Sequence, residues 1–209
     1  MRYVIIAGSH RTKSQSSKIA EYIQHVLQKM PNVISIDIID LKNNPLPLWH
    51  DAMWNKEPED MYQERISVWE PMKKLLEQAD AYVVITPEWS GMASPGIKNF
   101  MLYCKAEVTG NKPAMLVGVS SGVGGSYPVA ELRMSSYKNT QLVYIPQHVI
   151  VRSVNDMCND FDNAEPDSRD ERIRKRIKYS LAMLEQYAKG LKIVRESGVV
   201  NLEDYAHGM

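Results

Sequence analysis

The amino-acid sequence predicts a single α/β domain in which helices cover both faces of a five-stranded parallel sheet. Three short runs, at 3–7, 81–85 and 114–119, are apolar without a break, as strands buried on both faces are. Segments with a 3.6-residue apolar period separate these runs, and such alternation of strands and helices is typical of a parallel sheet. A chain of 209 residues is long enough to bury one core of this kind.

The first strand, the first helix and the second strand follow one another at the start of the chain. Residues 3–7 are apolar and end at a glycine, which predicts a buried strand followed by a turn. From Ser16 or Ser17 onward, apolar residues recur at helical spacing until Pro31 stops the pattern. Residues 34–38 then alternate isoleucine with polar residues, which is typical of a strand with one wet face. The second strand is therefore predicted to lie at an edge of the sheet.

The middle of the chain repeats this alternation around two further buried strands. The strand at 81–85 ends at Thr86 and Pro87, and the strand at 114–119 opens into a glycine-rich loop that no regular element would tolerate. The other segments predicted here are an irregular loop at 41–60, helices at 66–79 and 97–102, the loop at 120–125 and a helix at about 128–140.

The last strand and the last helix complete the predicted domain. Residues 143–151 are predicted to form an edge strand, because the proline within them cannot donate a hydrogen bond to a neighbouring strand. A 3.6-residue apolar period over 173–191 predicts a long helix, preceded by a serine and acidic residues where an N-cap and a first turn belong. The sequence thus predicts one domain over 1–190 and a C-terminal arm or tail over 191–209.

The charge balance excludes partners that are bound chiefly through excess charge. The chain has 25 basic and 25 acidic side chains, and a net charge of zero argues against nucleic acid and membrane surfaces as partners. Two cysteines are too few for a disulfide framework or a zinc site, and no apolar run has the length of a membrane span. A cytoplasmic setting is therefore expected. The net charge of zero conceals a local excess of positive charge, since residues 1–20 contain four basic side chains and no acidic one.

Three predicted loops, at 8–17, 87–96 and 120–127, follow buried strands at the edge of the sheet where ligands of such folds bind. The first holds five hydroxyl side chains, an arginine, a lysine and a helix start within ten residues. Hydroxyls, an arginine and the amides of a helix N-terminus suit a terminal phosphate, whereas serines that merely cap the helix are the alternative interpretation. The loop lacks the glycine patterns of nucleoside-triphosphate and dinucleotide sites, which narrows the ligand toward a monophosphate.

Two of these loops also resemble the NADPH-dependent FMN reductase family of flavodoxin-like proteins. In that family Gly-Ser-x-Arg-x-x-Ser follows the first strand, and Thr-Pro-Glu-Tyr-Asn with a later Pro-Gly-x-Leu-Lys-Asn follows the third. The matching residues are Gly8, Ser9, Arg11 and Ser14 in the first loop, and Pro87, Glu88, Gly91, Pro95, Gly96, Lys98 and Asn99 in the second. The resemblance covers about residues 1–150, including Leu-Pro-Leu at 46–48. It departs at Trp89 and Ser90, where the family usually has Tyr and Asn.

The resemblance implies a flavodoxin-like three-layer sandwich with strand order 2-1-3-4-5 that binds FMN without a covalent link. The residues implied to hold the FMN phosphate are Ser9, Arg11, Ser14, Gln15, Ser16 and Ser17. The residues implied to flank the isoalloxazine ring are Pro87, Glu88, Trp89, Ser90, Gly91 and Met92 on one side and Ser120, Ser121, Gly122 and Gly125 on the other. Glycines suit this placement because they let the backbone approach a flat ring closely.

The function implied by this resemblance is that of an FMN-dependent NAD(P)H oxidoreductase. Hydride would pass from NADPH or NADH to bound FMN and on to a small acceptor, such as a quinone, an azo compound or free flavin, in a ping-pong reaction. Because the cofactor carries the chemistry, no side chain is predicted to be catalytic, and no metal is expected. Family members commonly form dimers or tetramers, which implies a homodimer or homotetramer.

Two other functions are compatible with the residues. One is a flavodoxin-type electron carrier without its own NAD(P)H activity, and the other is a regulator that binds a phosphorylated ligand without redox chemistry. Dedicated carriers usually dock through a strongly acidic face, which the balanced charge does not favour.

Several further residues have both a functional and a purely structural interpretation. Glu88 is interpreted as a partner for backbone N–H groups rather than as a proton donor. Cys104 and Cys158 are interpreted as inert thiols, since no basic neighbourhood activates them. Either core packing or a lid or subunit contact is predicted for Trp49, Trp54 and Trp69.

Overall fold

A computed structural model of the chain describes residues 1–43 and 46–207. The strands are β1 (Arg2–Ala7), β2 (Ser35–Asp40), β3 (Ala81–Trp89), β4 (Met92–Ala93), β5 (Pro113–Val119) and β6 (Val143–Val151). The helices are α1 (Gln15–Gln28), α2 (Ala52–Asn55), α3 (Glu59–Gln78), α4 (Pro95–Tyr103), α5 (Ala106–Thr109), α6 (Ser126–Ser135) and α7 (Arg169–Glu196).

Five of the strands form one parallel sheet in the order β2-β1-β3-β5-β6, and β4 extends β3 as a short antiparallel hairpin. When the hairpin strand is left out of the numbering, this order is the predicted 2-1-3-4-5, so the flavodoxin-like topology is confirmed. The chain turns from β1 first outward to β2 and then back to β3 on the other side. Such a reversal opens a crevice at the carboxyl edge of the sheet.

Each face of the sheet carries its own hydrophobic core, which gives the molecule three layers. One core packs residues of α1 and α7 against Ile5 and Val83 of the sheet. The other packs residues of α3, α4 and α6 against Val4 and Val84. Because neighbouring residues of a strand point to opposite faces, a strand between two cores must be apolar at every position. This is the physical reason for the unbroken apolar runs in β1, β3 and β5.

The edge strands are the two that the sequence predicted. β2 borders the sheet on one side with mostly half-buried residues, and β6 borders it on the other. The register of β6 against β5 shifts between the pairs Ala114 with Tyr144 and Leu116 with His148. Pro146 lies inside the shifted stretch, where a residue without an N–H group interrupts the ladder at least cost.

Two helices end where the sequence did not predict. α6 stops at Ser135 instead of about residue 140. The hydroxyls of Ser135 and Ser136 donate to carbonyls of the preceding turn, at Glu131 and Leu132 respectively, and such bonds compete with continuation of a helix.

α7 continues through Gly190 to Glu196, so the irregular arm begins at Ser197 rather than at residue 191. A glycine inside a helix costs only about 1 kcal/mol relative to alanine, so a single glycine does not by itself end a long helix. Residues 208 and 209 of the predicted arm lie outside the described residues. No helix in the described part of the chain is long and apolar enough to cross a membrane.

Both cysteines are free and buried. Burial raises the pKa of the Cys158 thiol to about 12, with the Asp170 carboxylate as a further cause, and burial alone raises the pKa of Cys104. Since the thiolate is the reactive form, both groups are inert near neutral pH, in agreement with the sequence interpretation.

Two glycines test how closely the backbone is packed. A Cβ on Gly118 of β5 would collide with the carbonyl oxygen of Gly125, whereas a Cβ on Gly190 meets nothing within 4 Å. Gly118→Ala should lower the free energy of unfolding by about 1–3 kcal/mol, because backbone must shift. Gly190→Ala should raise it by about 0.5–1 kcal/mol, because alanine is the better helix former. Urea denaturation measures both changes, and shifts of the same sign would contradict this account.

Candidate functional site

The three loops singled out in the sequence lie at one edge of the sheet. β3 pairs in parallel with both β1 and β5, so these three strands end side by side. The segment 8–14 follows β1, the turn between β3 and β4 follows β3, and the loop 120–125 follows β5. The structure therefore brings all three sequence-predicted segments together at the edge of the sheet where the reversed strand order opens a crevice.

Gly8 connects the first loop to the neighbouring strand. Its N–H donates to the carbonyl of Ile85 at 2.8 Å, and a Cβ at this position would lie 2.6 Å from the same oxygen. The hydroxyl of Ser94, which is also the N-cap of α4, donates to the carbonyl of Gly8. Only glycine fits between β3 and α4 here, and these contacts hold the start of the loop.

The N-terminus of α1 forms a small cradle of polar groups, which we call the anion cradle: Ser9 and residues 14–17. Ser14 is the N-cap, and its hydroxyl oxygen accepts from the N–H of Ser17 at 3.0 Å. The hydroxyls of Ser16 and Ser17 are buried, and neither has a hydrogen-bond partner among the described residues. The side-chain oxygen of Gln15 is likewise buried and unpaired.

Unpaired buried hydroxyls favour a bound ligand over simple capping. A buried polar group without a partner costs about 1–3 kcal/mol, so proteins rarely leave two neighbouring ones unsatisfied. Hydroxyl donors beside the N–H groups of a helix N-terminus match the oxygens of a phosphate. Ser14 thus caps the helix, as the capping interpretation predicted. Ser16 and Ser17, by contrast, offer the hydroxyls that the phosphate-site interpretation requires. The cradle fits the phosphate of FMN.

Positive charge surrounds the anion cradle. Arg11 and Lys13 are exposed, and in the described part of the chain neither side chain makes an ion pair or a hydrogen bond. Lys18 is the next basic residue. Its ammonium already donates hydrogen bonds to the carbonyl of Val154 and to the side chain of Asn159. The local excess of charge seen in the sequence therefore resides in two free side chains beside the cradle.

The second segment is a hairpin rather than the loop that the sequence predicted. β3 continues past Thr86 to Trp89 and turns back into β4 through Ser90 and Gly91. Both turn residues have positive φ, 50° and 73° respectively, as tight hairpins of the primed type require. Asparagine tolerates this conformation better than serine does, which is the structural consequence of the departure from the family pattern at residue 90.

Trp89, the last residue of β3, contacts the first loop. Its ring meets the His10 ring edge to face, with 4.7 Å between ring centroids. This contact joins the first loop to the hairpin across the crevice. Nothing in the sequence linked these two residues, which are far apart along the chain.

Glu88 supports the third segment. Its carboxylate accepts from the N–H of Gly125 at 2.6 Å, and a Cβ at Gly124 would collide with the same carboxylate. The interpretation of Glu88 as a partner for backbone is confirmed. Since both ends of this contact border the crevice, Glu88 sets the distance between the hairpin and the glycine-rich loop.

The far side of the glycine-rich loop is held by the end of β6. The N–H of Ser120 donates to the carbonyl of Val151 at 3.0 Å, and the N–H of Ser153 donates to the carbonyl of Gly122 at 2.8 Å. The guanidinium of Arg152 donates to the carbonyl of Val123 at 2.6 Å. These bonds hold the loop on this side, while Gly122 itself is exposed.

Glu131 of α6 is a site residue that sequence reasoning missed. Its carboxylate accepts from the N–H of Ala93 at 2.7 Å and pairs with the Lys98 ammonium at 3.1 Å. Burial raises the pKa of this carboxyl, but the Ala93 and Lys98 contacts outweigh burial, and its pKa lies below the ordinary value. Nothing in the sequence indicates that a glutamate on a helix holds a hairpin in place.

The other candidate residues have structural roles or stand apart from the crevice. Trp69 is buried and packs against Phe100 and Tyr103, as core packing predicts. Trp49 and Trp54 contact each other edge to face at 4.6 Å, away from the three segments. Among residues 1–43 and 46–207, no three His, Cys, Asp or Glu side chains are grouped in a way that could hold a metal ion.

The fold defines a class, that of flavodoxin-like α/β proteins, in which ligands bind in a crevice at the carboxyl edge of the sheet. The family described as NADPH-dependent FMN reductase matches residues 1–156, and the chain belongs to that family. It is accordingly an FMN-dependent NAD(P)H oxidoreductase.

Three known proteins illustrate the similarity. The FMN-dependent NADPH-azoreductase of Staphylococcus haemolyticus is 27% identical over 134 residues, which are 64% of this chain and 68% of the relative. The NADPH azoreductase of Bacillus sp. OY1-2 is 24% identical over 151 residues, or 72% of this chain and 76% of the relative. The solved structure of FerB, a flavoenzyme NAD(P)H:(acceptor) oxidoreductase from Paracoccus denitrificans, shares the fold with a TM-score of 0.61 at 20% identity, covering 91% of this chain and 97% of FerB.

Glu131→Gln should loosen the hairpin only where the Glu131 carboxyl is ionised. Because its pKa is lower in the folded than in the unfolded chain, its contribution to stability is complete above the ordinary value of 4.5 and is lost as pH falls through the folded-state pKa. The substitution should cost up to about 1 kcal/mol of unfolding free energy at pH 7 and less at pH 3.

Urea denaturation at the two pH values measures the effect. Glu70→Gln, which breaks a looser pair with Lys73 at 3.8 Å, is the control and should change stability little. Equal losses for Glu131→Gln at both pH values would contradict the assigned role.

Proposed function

We propose that this protein uses bound FMN to pass electrons from NADPH or NADH to a small aromatic acceptor of the azo or quinone type. The observation that carries the proposal is the anion cradle, in which two buried hydroxyls have no hydrogen-bond partner among the described residues. The names of the two azoreductase relatives support the azo acceptor.

In this proposal the anion cradle holds the FMN phosphate. Ser9, Ser16 and Ser17 present buried hydroxyls, and the N–H groups at the start of α1 add partial positive charge. Arg11 closes the cradle from outside with a charge-assisted hydrogen bond, for which its side chain is free.

The isoalloxazine ring is proposed to lie between the hairpin and the glycine-rich loop. Residues 87–92 would form one wall and residues 120–125 the other, at the separation set by the contact of Glu88 with Gly125. When bound, FMN would supply the redox chemistry, accepting hydride from the nicotinamide and giving it to the acceptor. The chain itself would orient the ring and leave one face open, so that donor and acceptor use the same space in turn.

The proposal includes a homodimer or homotetramer in a cytoplasmic setting. Exposed apolar side chains next to the crevice, those of Met92, Val123, Tyr127 and Met134, support association through this side. Free thiols at both cysteines agree with a reducing compartment. Sedimentation at working concentration measures the oligomeric state.

Anaerobic mixing with reduced nicotinamide tests the function. The FMN-loaded protein should lose its visible flavin absorbance on addition of NADPH or NADH and recover it when an azo dye or a quinone follows. Stopped-flow absorbance measures both half-reactions. Flavin that stays oxidised with both nicotinamides would contradict the proposal and would favour an electron carrier.

Arg11→Ala should weaken FMN binding by about 1–3 kcal/mol, the range for loss of a charge-assisted hydrogen bond. Fluorescence titration of the apoprotein with FMN measures the affinity. Arg176→Ala is the matched control, since Arg176 is an exposed arginine on α7. Equal affinities for the Arg11 variant and the unmodified protein would show that Arg11 points away from the phosphate.

Ser17→Ala should lower the affinity for FMN without lowering the stability of the apoprotein. Removal of an unpaired buried hydroxyl leaves the apoprotein as stable as before or more so, while FMN affinity falls by about 1–3 kcal/mol. Ser180→Ala on α7 removes another buried, unpaired hydroxyl and should leave FMN affinity unchanged. A loss of apoprotein stability in Ser17→Ala, with unchanged FMN affinity, would show that this hydroxyl is structural.

A further inference from the structure

We propose that the protein has a second ligand site, for a planar aromatic anion that carries a carboxylate or sulfonate group. The site is a cavity of about 870 Å³ beside α4 and α6, with the C-terminal arm along one side. We call it the arm cavity. Its volume lies within the range of small-molecule sites. None of the residues predicted to bind FMN is among the described residues that line it.

The walls of the arm cavity suit a flat aromatic body. Trp49 and Trp54 form one side through their edge-to-face pair. Met101, Leu102 and Leu132 form another side, and Leu102 is 60% exposed. Aromatic rings and thioethers hold a planar ring by stacking and sulfur contacts, whereas a charged aliphatic ligand gains little from such walls.

The charged side chains that line the arm cavity favour an anionic ligand. Lys105 and Lys138 line the cavity, and within the described ranges of the chain neither makes an ion pair or a side-chain hydrogen bond. Lys98 also lines it but is held by Glu131. Glu107 is the single acidic residue among the described lining residues. Two free ammonium groups beside an apolar wall match an acidic group on an aromatic ring.

The C-terminal arm completes the cavity through contacts with the body of the domain. The guanidinium of Arg195 donates to the carbonyl of Asn111 at 2.9 Å, which directs the end of α7 toward the turn before β5. The side-chain amide of Gln141 donates to the carbonyl of Tyr205 at 3.3 Å. This second anchor places the next two residues, Ala206 and His207, at the wall of the cavity.

Binding of naphthalene-2-sulfonate to the full-length, FMN-saturated protein tests the proposal. Isothermal titration should show one site per chain, and a variant with both Lys105→Ala and Lys138→Ala should bind at least about tenfold more weakly. The neutral analogue 2-naphthylmethanol should bind the variant and the unmodified protein alike. The matched control combines Lys175→Ala and Lys178→Ala on α7. A second variant, Leu102→Glu, places an acid in an exposed part of the wall and should also lose the sulfonate.

Three results would overturn the proposal. The first is that the sulfonate does not bind, as expected where a second copy of the chain covers the cavity. Equal affinity in the Lys105 and Lys138 double variant would show that these ammonium groups do not hold the anion. Displacement of the sulfonate by the electron acceptor would place it in the flavin crevice. The first two measurements do not depend on turnover, so they remain decisive whatever the acceptor is.

Discussion

The site depends on the parallel pairing of β1, β3 and β5. Parallel neighbours necessarily end at the same edge of a sheet, so three segments that are distant in sequence meet there. The hydrogen bond from Gly8 to Ile85 carries this pairing one residue beyond β1 and delivers the chain to the start of the anion cradle. Every other contact of the crevice acts on segments that this pairing has already placed.

Two carboxylates then hold the segments in position beside the carboxyl edge of the sheet. Glu88 binds the backbone of the glycine-rich loop, and Glu131 binds the backbone of β4. A carboxylate that accepts from a backbone N–H forms a strong, charge-assisted hydrogen bond, so each contact holds one segment firmly against another. The hydroxyls of Ser16 and Ser17 differ from these carboxylates, because no group in the described part of the chain hydrogen-bonds to them. A ligand that satisfies them stabilises the folded chain by its own binding energy.

Most of the fold could be predicted from the sequence, because its elements are defined by local patterns. The unbroken apolar runs predicted the central strands, and the alternation in β2 and the proline in β6 predicted the edges. The errors fell where local signals compete with contacts from elsewhere. Pro87 suggested an end to β3, but pairing with β4 continues the strand to Trp89. The apolar period suggested an end to α7 at about residue 191, but the helix runs on to Glu196.

The sequence by itself determined the α/β class, the positions of the buried and edge strands, and the cluster of hydroxyl and basic residues that predicts a phosphate site. These properties follow from spacing along one stretch of chain. Only the tertiary structure decided which hydroxyls stay unpaired, that Glu131 supports the hairpin, that Trp89 meets His10, and that the arm reaches the cavity beside α4. Each of these depends on the distance between segments far apart in the chain, which is set by sheet register and helix packing and leaves no periodic trace in the sequence.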